Sequence, residues 1–156
     1  MIELYSPIEI DAPVEVVWDI MADLPAYPEW NPFIHEIAGP LETGAHLREK
    51  VYFFNNVYLP VGLIAKRILP LTEMELWRSG PAFLNVVYFG AHIFSFEPLP
   101  GGRTRFLHRY LSLGFVSWLV QAHLNKGVKQ VQVKMNEALK QRAEARVRSQ
   151  PAKSTA

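Results

Sequence analysis

The period of the hydrophobic positions changes repeatedly along the chain, and each change predicts a boundary. From Glu3 to Asp11, apolar residues alternate with polar ones around Leu4, Ile8 and Ile10, as in a strand buried on one side. Asp11-Ala12-Pro13 then offers a cap-like residue and a proline at the entry to a helix, and Val14, Val17, Trp18 and Met21 recur at helical spacing through about Ala22. Pro25, Pro28 and Pro32, with Tyr27 and Trp30 between them, leave room for at most one further helical turn. From Phe33 the period is two again, punctuated by turn signals at Gly39-Pro40, Thr43-Gly44, Asn55-Asn56, Pro70, Gly80-Pro81 and Gly101-Gly102. Six strands fit that punctuation: Phe33 to Ile37, His46 to Phe54, Leu59 to Leu69, Thr72 to Arg78, Asn85 to Glu97 and Arg103 to Leu113. Their short links are those of an antiparallel meander.

After Gly114, Val116, Leu119, Val120, Leu124, Val128, Val131, Met135 and Leu139 recur at steps of three and four, one apolar stripe of a helix from Phe115 to about Arg146. Such a helix is about 45 Å long at 1.5 Å per residue and crosses a whole sheet. The predicted architecture is α+β: a curved seven-stranded antiparallel sheet wrapped around a long C-terminal helix, with two short helices between strands 1 and 2. One domain covers residues 1–148, and 149–156 form a flexible tail. Backbone alone does not fill the space between such a sheet and its helix, so large side chains or a cavity must occupy it.

The last two strands carry the most informative pattern. If Pro98 to Gly102 form the loop, Glu97 faces Arg103, Phe96 faces Thr104, Phe94 faces Phe106 and His92 faces His108. His92, Phe94, Phe106, His108 and Tyr110 then share one face. Imidazole nitrogens in an aromatic wall suit a pocket for a small organic ligand, and the same pattern also suits an ordinary core.

Composition narrows the chemistry. In 156 residues, 49% hydrophobic content suffices for a real core. The chain has no cysteine, so disulfides, thiolate nucleophiles and cysteine-ligated metals are excluded. There is no signal-like N-terminus, and the longest apolar run, Val57 to Ala65, falls far short of the ~20 residues of a membrane-spanning helix. A cytoplasmic protein is expected. Lys126 onward holds eight basic and two acidic residues, against eight basic and thirteen acidic before it. A basic helical face is compatible with peripheral contact at an anionic membrane, although solvation is the commoner role of such a face. Arginines are not interleaved with aromatics in the manner of a nucleic-acid binder, and no nucleic-acid partner is expected. No nucleophile elbow, phosphate loop, dinucleotide fingerprint or zinc-protease motif is present.

With the elements in place, five segments resemble the START/Bet v 1-like (SRPBCC) superfamily, in particular bacterial polyketide cyclase/dehydrase-like and lipid-transport-like proteins. They are Ile8-Glu9-Ile10-Asp11-Ala12-Pro13 with Val17-Trp18, Tyr27-Pro28-Glu29-Trp30-Asn31-Pro32-Phe33, Gly90-Ala91-His92-Ile93-Phe94, Gly102-Arg103-Thr104-Arg105-Phe106-Leu107-His108 and Met135-Asn136-Glu137-Ala138-Leu139-Lys140. The resemblance implies a helix-grip fold with a ligand-sized cavity, but it does not select among the sterols, lipids, quinones, polyketides and hormones that such proteins bind. Where many relatives carry an acidic residue two places after the last-strand histidine, this chain has Tyr110, so no carboxylate–histidine pair is expected there.

The expected function is binding of a small, mostly apolar organic molecule by a monomer or weak homodimer, with no cofactor. Its candidate contacts are His92, Phe94, Phe106, His108, Tyr110, Tyr88 and Trp77 from the strands, Trp30 and Asn31 from the connector, and Leu119, His123 and Gly127 from the long helix. For most of these, core filling or local structure is the competing role. An enzyme of cyclase or dehydratase type would use His92, His108 and Tyr110 for acid–base work. A protein-interaction module with a filled cavity, using the aromatic turn from Phe53 to Tyr58 or the basic last helix, is the third expectation. Two histidines without a third donor are not expected to hold a metal.

Overall fold

The computed structural model describes residues 2–54, 57–80, 89–113 and 121–149. Strand β1 (Ile2–Ile10) leads into helix α1 (Val14–Ala22), a 3-10 turn (Leu24–Ala26) and the single-turn helix α2 (Tyr27–Trp30). Six strands follow: β2 (Ile34–Ala38), β3 (His46–Phe54), β4 (Val57–Leu69), β5 (Glu73–Ser79), β6 (Phe89–Leu99) and β7 (Arg103–Leu113). Helix α3 (Gln121–Ser149) ends the described chain. Its expected first turns, from Phe115, and the residues of β6 expected before Phe89 lie outside the described residues, as does the tail beyond Ser149. Asp11 does not cap α1. Pro13 stands there instead, its carbonyl accepting from the amides of Val16 and Val17, while Thr104 of β7 donates to the Ala12 carbonyl and pins the junction to the sheet.

The sheet order is β1-β7-β6-β5-β4-β3-β2, antiparallel throughout, and the sheet curls around α3 in the helix-grip arrangement. The register shifts at Ile34/Glu36, Tyr52/Phe54 and Ala65/Arg67. A bulge bends its strand and reverses the inward parity beyond it, which is why β4 faces Leu63 and Ala65 inward and then Ile68 rather than Arg67.

The β6–β7 register differs from the sequence expectation by two residues. Leu99 pairs with Arg103, Glu97 with Arg105, Phe96 with Phe106, Phe94 with His108 and His92 with Tyr110. The loop is shorter than expected because Gly101 and Gly102 both adopt positive φ, 79° and 69°, reversing the chain within three residues and leaving Pro98 and Leu99 in the strand. Pro98 is tolerated there because the pairing of β5 with β6 reaches only Ser95. A slip of two preserves the faces, so the aromatic wall survives with different neighbours.

Along α3 the buried positions Met135, Leu139 and Ala143 pack with Trp18, Met21, Phe96 and Phe106 into a continuous core. Val128 and Val131, a turn or two earlier, are only partly buried. The interior is therefore solid under the C-terminal half of α3 and open under the described part of its N-terminal half.

Candidate functional site

The open region is a cavity of about 430 Å³ between the sheet and α3. Alternation on β3 and β4 turns Val51, Val61 and Leu63 toward it, and α3 closes it with Val128 and Val131. Tyr52 and Leu59, both exposed, also border it, so it reaches the surface at that end. Among the described residues its polar groups are Glu49, Arg78, His92, Tyr110 and the Tyr52 phenol. Gly90 makes one wall possible, since a Cβ there would stand 3.0 Å from the Tyr110 hydroxyl oxygen and 3.3 Å from its ring.

Behind this wall lies a buried polar chain. His92 Nδ1 and His108 Nε2 are 2.9 Å apart, a diagonal contact across β6 and β7. His108 Nδ1 lies 3.3 Å from Asn136 Oδ1 on α3. Asn136 Nδ2 donates to the Ser6 carbonyl at 2.9 Å and lies 3.3 Å from the Ser6 hydroxyl, and Gln132 Nε2 donates to the His108 carbonyl at 3.3 Å. His108, Gln132 and Asn136 are all essentially inaccessible to solvent. Phe94 and Phe106 flank the imidazoles, with the Phe94 and His108 ring centroids 4.6 Å apart.

Burial sets the protonation states. Desolvation pulls the His92 imidazole down to about 4. His108 is held well below the ordinary histidine value by burial and by its neighbour His92, against a smaller opposing effect from Asn136. Both rings are neutral at pH 7. Glu49 moves the other way: burial raises its carboxyl to about 7, with the Arg78 guanidinium opposing. The cavity thus holds a carboxyl poised at neutrality and an imidazole that is a weak base.

The sequence candidates fall in different places. His92 and Tyr110 border the cavity, and His108, Phe94 and Phe106 stand behind it in the core. Trp77 points to the opposite face of the sheet, where its indole N–H donates to Glu75 at 2.6 Å and Lys66 lies over its ring. Asn31 shapes the connector, its Oδ1 accepting from the amides of Phe33 and Ile34, while Trp30 packs edge-on against Tyr27. Gly127 is exposed, with open space where a Cβ would stand, so close packing does not account for it. Tyr88 and Leu119 lie outside the described residues, as does the side chain of His123.

Sequence reasoning missed Glu49, Arg78, Gln132 and Asn136. Glu49 was accessible to it, because Leu47, Glu49 and Val51 alternate onto one face. The carboxyl absent beside His108 is supplied to the cavity from β3 instead. Among the described residues no cluster of three or more His, Asp or Glu side chains could hold a metal ion, and no helix is long and apolar enough to cross a membrane.

Solved structures share this fold at low sequence identity. The Zhui aromatase/cyclase of Streptomyces sp. R1128 superposes with a TM-score of 0.76 at 17% identity, covering 95% of this chain and 96% of that one. The protein NE0264 of Nitrosomonas europaea gives 0.74 at 13%, covering 94% and 96%. The di-domain ARO/CYC StfQ of the steffimycin biosynthetic pathway gives 0.74 at 10%, and this chain, 93% covered, spans 52% of its length. No curated protein is a significant match in sequence. The family model described as polyketide cyclase/dehydrase and lipid transport, however, matches residues 1–144, nearly the whole of the helix-grip unit, and the chain belongs to that family.

Proposed function

We propose that the protein binds a small, largely apolar organic molecule, such as a lipid, quinone or aromatic polyketide-like compound, in the cavity between the sheet and α3. The observation that carries this reading is the cavity itself. A volume of about 430 Å³ with apolar walls and a few convergent polar groups is the usual composition of a small-molecule site. A ligand that buries about 200 Å² of apolar surface there gains roughly 5 kcal/mol, and the polar groups fix its orientation. The family description, which names both polyketide chemistry and lipid transport, supports the same class of ligand. Native mass spectrometry with solvent extraction, on protein purified from its own host, tests the reading. A co-purifying organic molecule of matching size is expected. Clean protein that also fails to take up an added panel of aromatic and acyl compounds overturns it.

A second reading, a cyclase or dehydratase, is favoured by one observation. Glu49, at about 7, is tuned for proton transfer at neutral pH, whereas His92, at about 4, is not. In such an enzyme Glu49 exchanges the proton and His92 and Tyr110 orient the substrate. The two solved structures named for aromatase/cyclase chemistry support it through the shared fold alone. A rate profile that inflects near pH 7, with the inflection absent in Glu49→Gln, is the expected signature.

A further inference from the structure

The buried polar chain has a direction. A backbone carbonyl only accepts, so the Asn136 atom 2.9 Å from the Ser6 carbonyl is the amide nitrogen, and the atom turned to His108 is the amide oxygen. That oxygen also only accepts, so His108 carries its proton on Nδ1. His108 is neutral, and its Nε2 is therefore a bare lone pair. The 2.9 Å contact then requires the proton on His92 Nδ1, because two lone pairs do not meet at that distance. His92 is left with an unprotonated Nε2. That nitrogen has no hydrogen-bond partner among the described residues, and His92 borders the cavity.

We infer that His92 Nε2 is a dedicated hydrogen-bond acceptor of the cavity, so that it favours ligands placing a hydroxyl or phenol at His92 over ligands placing a carbonyl, ether or halogen there. This rests on the ligand-binding reading above and adds the ligand's chemistry. Asn136 and His108 are positioning residues: neither borders the cavity, and both act by fixing the tautomer of His92. An acceptor atom set beside His92 Nε2 opposes one lone pair to another, whereas a donor completes the chain. A neutral imidazole on its own can present either nitrogen as the donor, and the anchoring to the Ser6 carbonyl removes that freedom.

Two measurements test the inference, the first without any ligand. Long-range ¹H–¹⁵N correlation spectra of the labelled protein at pH 7 distinguish protonated from unprotonated ring nitrogens. Both histidines are expected to carry the proton on Nδ1, and a proton on His92 Nε2 overturns the inference whatever the cavity binds. Calorimetric titration with 2-naphthol and with 2-fluoronaphthalene, similar in size but lacking a donor, reads the consequence. The naphthol is expected to bind on the order of tenfold more tightly, with the preference reduced to within about twofold in His92→Phe. Equal affinities in the wild type, or an undiminished preference in the variant, overturn the selectivity and leave the cavity reading standing. If neither probe binds, the selectivity fails, while the cavity reading is decided separately by the panel of aromatic and acyl compounds. Asn136→Leu, where folded, is expected to mix the His92 tautomers, a change that loss of packing alone would not produce.

Discussion

Glu49 links the site to pH through a single residue. Its carboxyl titrates near 4.5 in an unfolded chain and near 7 in the folded protein, so between those values the folded state binds the extra proton. Stability contributed by this group is thus full below about 4.5 and falls as pH rises toward 7. The neutral imidazoles act in the opposite sense. Their folded values are depressed, so their contribution is present above about 6.5 and is lost as pH falls, for His92 as it approaches about 4. Comparison with Glu49→Gln separates the two. The variant is expected to gain on the wild type steadily from pH 4.5 to 7 and to hold that gain above it, as read by urea midpoints; a constant difference would refute the assignment. Glu49 and Asn136 also show what a sequence makes readable. A carboxyl on an alternating strand announces its face by spacing alone. Asn136 adjoins the apolar stripe of α3 in the manner of any flanking polar residue, and its value depends on Ser6 and His108, 130 and 28 residues away, which no local pattern brings together.

Among the elements, α3 and the β6–β7 hairpin carry the site. Asn136 stitches α3 to β1 and, through His108, to β7. Replacing it with Ala strands the His108 N–H and the Ser6 carbonyl in a dry interior, and a loss of about 2–4 kcal/mol is expected on denaturant unfolding. The hairpin depends on its two glycines. Gly102→Val is expected to lose about 1–2 kcal/mol, since a β-branched residue at φ 69° is strained, whereas Gly127→Ala, in the exposed interior of α3, is expected to gain up to about 1 kcal/mol. Strand and helix existence followed from period and punctuation, and β3 and β7 run over the expected residues. Register was less legible, because Pro98 reads as a loop residue until the neighbour it lacks is known. The bulges, which bend the sheet, leave no mark in the alternation that distinguishes them from an irregular strand.

Among the described residues, the interior divides into a packed half and a hollow half along one helix. Filling the hollow half therefore separates stability from binding. Val131→Phe, from a partly buried position on the cavity wall, is expected to leave thermal stability unchanged or raised while abolishing uptake of 2-naphthol; retained uptake would place the ligand elsewhere. The division of charge has a structural use as well. Arg142 meets Glu29 at 2.7 Å, Arg146 meets Asp19 at 3.8 Å, and the Lys140 ammonium donates to the Glu9 carbonyl at 2.7 Å, so part of the basic helix is matched to the acidic body. Such exposed pairs contribute little energy, but they favour one orientation of the helix. A last consequence belongs to the pairing of β1 with β7. Ser6 and His108 stand opposite one another across a hundred residues of intervening chain, and among the described strands β1 has no other neighbour. During synthesis on the ribosome, β1 precedes its strand partner by the whole meander, and α3 follows only after β7 has been made. Closure of the sheet and assembly of the polar chain are then both late, so a fragment ending before Arg103 leaves β1 without its strand partner and exposed to chaperones and proteases.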